Sequence, residues 1–134
     1  MRYLIAAAVL GLAGSSFAET INVPSDHDTI AAAISASVNG DVIAIAAGTY
    51  YEHSLNPSGK AITIGSASGN LDVTIDAQQG GSVFVVNSGE TSGTVIKDLV
   101  ITGGTGTELG GWNYGGGIFC ESSSPTISGC TIEG

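Results

Sequence analysis

Positive charge is what this sequence has least of. Arg2, Lys60 and Lys97 stand against twelve Asp and Glu residues. No cluster of cations exists to neutralise phosphates, so nucleic acid and anionic lipid are excluded as partners, while uncharged glycans, cations or another protein remain. Cysteine is equally sparse. Cys120 and Cys130 are too few to supply the disulfide framework that replaces a core in small secreted domains, so packing must hold the chain together. Aromatics are also few, with one Trp, four Tyr and three Phe. Gly, Val, Ile and Thr take their place, the composition of many short strands joined by turns.

No apolar run reaches the roughly 20 residues that a bilayer span requires. Leu4 to Leu12 comes nearest, and it follows Arg2 and precedes the small residues Ser16 and Ala18. That order marks residues 1–18 as a secretory signal peptide cleaved after Ala18, with a retained anchor as the second reading. The expected location is therefore extracellular or at the cell surface, with no membrane span after cleavage. The chain from residue 19 onward has no arginine.

Residues 19–40 read as a cap with one short helix. Ile30, Ala33, Ile34 and Val38 fall at helical spacing after Pro24, Asp26 or Asp28 is placed to accept the first free N–H groups, and Asn39 and Gly40 mark the end. Residues 41–134 read as strands. VIAI (42–45), AITI (61–64), SVFV (82–85) and GIFC (117–120) align in one column, with Ile43, Ile62, Val83 and Ile118 in register. VTID (73–76), LVIT (99–102) and CTIE (130–133) form a second, in which Val73, Leu99 and Cys130 correspond, as do Ile75, Ile101 and Ile132. The longest internal match is TVIKDLVITG with PTISGCTIEG. A period of about 20 residues with alternating apolar positions predicts a stacked coil, a solenoid, with like residues above like in interior ladders. The helix would cover the open top of the first coil.

The segment from Asp28 to Gly81, with its helix, GD, strand, GTY and Glu52 followed by GKAITI, and the later unit GGGIFCESSSPTISGCTIEG, resemble the right-handed parallel β-helix proteins of the pectin-lyase-like superfamily. The resemblance covers most of the chain after residue 18. It implies an all-β fold, a single-stranded right-handed parallel β-helix with an N-terminal capping α-helix, and it is far less specific for function than for fold. Members that cleave pectate by elimination use an arginine base with aspartate-held calcium. Related methylesterases use two aspartates with an arginine, and hydrolases use aspartate clusters with a GHG-type histidine motif. None of these sets maps here, because arginine is absent after residue 18 and His27 and His53 lie in the cap and an early turn. Catalytic residues are unknown. An enzyme of this type, a polysaccharide lyase or glycoside hydrolase, would draw its acid and base from turns beyond Gly134.

The candidate substrate-binding residues lie in the Gly-rich insertion TGGTGTELGGWNYGGG. Trp112 and Tyr114 are rings suited to stacking on a sugar, and Glu108 and Asn113 offer polar groups nearby. The plainer alternative is that both rings pack on the base of their own loop. Calcium would need several oxygens converging at about 2.3–2.6 Å. Asp72, Asp76, Asp98, Glu121 and Glu133 are scattered through separate turns with no EF-hand or GGxGxD loop, the pattern of a solvated face, and no cofactor is evident. Tyr50 and Tyr51 read as strand-end packing. Cys120 aligns with Val85 and Ile64, and Cys130 with Leu99 and Val73, so both are expected to face inward. Packing as small apolar groups is the first reading and a disulfide across the core the second. With no histidine near them, a metal site is not expected.

The expectation is thus an exported β-helix protein that binds or processes extracellular polysaccharide. The alternative is a non-catalytic surface scaffold or adhesin built from the same repeats. The sequence also reads as an N-terminal portion, about four turns long, whose open C-terminal edge continues into further repeats.

Overall fold

The computed structural model describes residues 17–134. Residues 1–16 of the expected signal peptide lie outside the described residues. What is described is mostly strand, with one short helix: β1 (Thr20–Val23), α1 (Ile30–Ala36), β2 (Val42–Ile45), β3 (Gly48–Tyr50), β4 (Thr63–Ser66), β5 (Val73–Asp76), β6 (Phe84–Val86), β7 (Val95–Lys97), β8 (Val100–Thr102), β9 (Thr107–Leu109), β10 (Trp112–Tyr114), β11 (Ile118–Cys120), β12 (Thr126–Ser128) and β13 (Thr131–Ile132).

The strands form three short parallel sheets and one antiparallel pair. The first sheet runs β1-β2-β4-β7-β12, the second β13-β8-β5-β3, the third pairs β6 with β11, and β9 pairs antiparallel with β10. From β2 onward the chain enters the first sheet and then the second, and returns to the first by way of the third or, early on, by Leu55, which bridges to Phe84. Each visit to the first sheet carries an isoleucine at the same register. Ile21, Ile43, Ile64, Ile96 and Ile127 stand one above another, and Ile75, Ile101 and Ile132 do the same in the second sheet. The β-branched side chains repeat every second residue, so all point to one shared core. Ile43, Ile64, Ile75, Ile96 and Ile101 are fully buried there. Each contributes roughly 1.5–3 kcal/mol of transfer free energy.

A seven-residue helix is too short to be stable alone, and α1 is held from outside itself. The Thr29 hydroxyl caps it by accepting from the Ala32 N–H at 3.1 Å. The Glu52 carboxylate, arriving after β3, accepts from the Ile30 and Ala31 N–H groups at 2.8 and 3.0 Å. At the other end the Lys60 ammonium donates to the carbonyls of Ile34 and Ser35 at 2.6 and 3.2 Å. Anion at the N-terminus and cation at the C-terminus both match the helix dipole. Ile30, Ala33 and Ile34 are buried, and the helix packs on β1 and β2.

Several expectations need correcting. Thr29 rather than Asp26 or Asp28 caps the helix, because Asp26 instead accepts from the backbone N–H and side-chain amide of Asn22. The helix ends at Ala36 with Ser37 as its cap, short of Asn39, and Val38 is left exposed. Ile43 stacks on Ile64 and not on Ile62. SVFV and GIFC do not belong to the VIAI column. They form the third sheet, where Ile118 pairs with Phe84 and Cys120 with Val86. The misalignment has a physical source. Ser82, Val83 and Phe84 are all buried in succession, so the alternation that sets register is broken there.

Candidate functional site

The Gly-rich insertion folds into a hairpin. Gly110 and Gly111 form its two-residue turn with φ of 62° and 87°, the positive values that a type I′ connection needs at both positions. Its base is closed by an approach that only glycine permits: a Cβ on Gly104 would overlap the carbonyl of Gly116. The base is also tied to the core. Buried Ser82 donates to the Gly115 carbonyl at 2.6 Å, and its oxygen lies 2.7 Å from the Thr107 hydroxyl.

Pairing in the hairpin sorts the four sequence candidates onto two faces. Trp112 lies opposite Leu109, Asn113 opposite Glu108 and Tyr114 opposite Thr107. Alternation therefore puts Trp112 and Tyr114 on one face with Leu109 and Thr107, and the Glu108–Asn113 pair on the other. Thr107 reaches the buried Ser82, so the aromatic face is the one turned toward the body of the protein. Between hairpin and body lies an open cleft of about 350 Å³, lined by Leu109, Tyr114, Gly115, Ile118, Phe119, Cys120 and Glu121. Phe119 is nearly buried at its floor, while Trp112 overhangs at the tip with 72% of its surface exposed.

The structure thus keeps Trp112 and Tyr114 together and separates Glu108 and Asn113 from them. The polar group at the cleft is Glu121, which the sequence offered only as part of a solvated face. Phe119 and Leu109 are the other members that sequence reasoning missed. The available signal was the spacing of Leu109 and Trp112 about Gly-Gly, which marks a hairpin.

Beneath this end of the protein lies a carboxylate that sequence reasoning did not single out. Glu90 is 2% exposed. It accepts from the Gly59 N–H at 3.0 Å, the Ser88 N–H at 2.7 Å and the Ser123 hydroxyl at 2.9 Å, joining three separate connections. Burial alone pushes its carboxyl up, but these donors outweigh burial and hold it below the usual glutamate range. Cys120 lies near enough to feel that charge. Burial first and Glu90 second push its thiol up, so it stays protonated.

Cys120 is exposed, Cys130 packs against the core, and both are free thiols. The acidic residues weighed for calcium do not converge. Asp72 accepts from the Ser66 and Ser68 hydroxyls at 2.8 and 2.7 Å, which hold its carboxyl low, and Asp76 accepts from the Gln78 N–H. Among the described residues no three His, Cys, Asp or Glu side chains gather as metal ligands. No helix of the described residues is long and apolar enough to cross a membrane. Compared with protein-family models, with curated proteins and with solved structures, the chain matches none.

Proposed function

We propose that the protein is an exported right-handed parallel β-helix that binds an extracellular polysaccharide in the cleft under the β9–β10 hairpin. The recurring order of the three parallel sheets and the in-register isoleucine columns support the coil, and parallel connections of this kind are nearly always right-handed. The observation that carries the function is the cleft itself, with an apolar floor at Phe119 and a Tyr114 wall, beside the exposed Trp112 on the same face of the hairpin. Sugar rings present C–H faces that stack on such rings, and few other polar polymers do. The reading is one of binding, and no catalytic set is assigned. Pull-down on insoluble glycans tests it. Retention should fall sharply for both Trp112→Ala and Tyr114→Ala, and unchanged retention in both would remove the aromatic platform from the account.

A further inference from the structure

The cleft carries a charge asymmetry that narrows its ligand. Of the seven residues lining it, one is charged, and that one is Glu121. Its carboxylate makes no hydrogen bond to another described residue. Among the described residues neither lysine pairs with it. Lys60 is occupied at the C-terminal end of α1, and Lys97 lies 3.8 Å from Asp98 in the first sheet. Glu90 adds a second negative charge whose influence reaches Cys120 in the cleft wall, yet its own oxygens are already taken by Gly59, Ser88 and Ser123.

We infer that the cleft takes an amino sugar: a hexosamine unit of a deacetylated glycan, its ring on Tyr114 and Phe119 and its ammonium group on Glu121. The inference rests on the glycan reading of this cleft and deepens it. A ring of this kind uses both parts of the site. Its C–H face meets the aromatic surfaces, while its ammonium meets a carboxylate beside two aromatic rings, whose negative faces also attract cations. A uronate unit would bring a like charge against Glu121, with no lysine among the cleft residues to compensate it. An N-acetylated unit would gain the stacking and leave the carboxylate unused.

The test is a calorimetric titration of the full chain with three short oligosaccharides: a glucosamine trimer, its N-acetylated counterpart and a galacturonate trimer. Mildly acidic buffer keeps the amine protonated. The amino trimer should bind about two- to fivefold tighter than the acetylated one, as an exposed ion pair allows. Added salt should shrink that advantage, and Glu121→Gln should abolish it, bringing the two trimers to equal affinity. Equal binding of the amino and acetylated trimers, or preference for the galacturonate, overturns the inference and leaves the glycan reading standing. A preference that survives Glu121→Gln also overturns it, since the attraction would then come from the protein's general negative charge. Binding of none of the three, nor of any insoluble glycan, removes both.

Discussion

Glu52 and Lys60 grip opposite ends of one helix. The carboxylate accepts two N–H groups at the start of α1, and the ammonium donates to two carbonyls at its end. A seven-residue segment rich in alanine is helical here because the connection after β3 brings it both counter-charges.

Removing either grip should therefore cost stability. Glu52→Gln and Lys60→Met are each expected to destabilise the protein by about 1–2 kcal/mol. The reading is a shift of the urea midpoint at unchanged slope. No shift in either variant would mean that packing of Ile30, Ala33 and Ile34 alone holds the helix.

The Glu90 carboxylate gives an acid dependence of known sign. Its folded-state pKa is depressed, so its contribution is present above the unfolded value and is lost as pH falls through the folded one. Stability should decline as the pH drops below the ordinary glutamate range. Glu90→Gln should cost about 1–3 kcal/mol at neutral pH and flatten that decline. Denaturant midpoints measured across acidic pH for both proteins decide it, and parallel curves would contradict the clamp.

The isoleucine column should show a gradient. Ile96 is fully buried between Ile64 and Ile127, whereas Ile127 is 42% exposed. Truncation of Ile96 to Ala should cost about 2–5 kcal/mol, and of Ile127 less than about 1.5 kcal/mol. Equal losses would contradict the stacking order.

Gly104 should be intolerant of a side chain. Ala at that position would push the hairpin stem off the Gly116 carbonyl, with an expected cost of about 1–3 kcal/mol and weaker glycan retention. Gly110→Asn, which keeps the positive φ accessible, should be nearly silent. Thermal melts and pull-downs of the two variants check the contrast.

Register was legible where alternation was unbroken. The match of TVIKDLVITG with PTISGCTIEG places Val95 on Thr126, Ile96 on Ile127 and Ile101 on Ile132, as the sheets pair them. The sequence column sets Ile43 two residues off its partner, because a period of two cannot tell Ile62 from Ile64 when both face the core. Cys120 was placed opposite Val85 instead of Val86, because the buried run from Ser82 to Phe84 hides the parity. The aromatic pair of the cleft was visible as composition. Its acidic partner is not, since Glu121 and Tyr114 come to line one cleft only through the fold.

Trp112 is the sole tryptophan of the chain and lies opposite Leu109 of the cleft lining, on the same hairpin face as Tyr114. Its fluorescence therefore reports on a ligand that extends from the cleft along that face. Titration with glycan oligosaccharides should give a saturable blue shift as the exposed indole loses water, and Tyr114→Ala, which leaves the tryptophan in place, should weaken that binding about tenfold or more. Emission that stays constant while a retained glycan is bound would place binding elsewhere and contradict the cleft as the functional site.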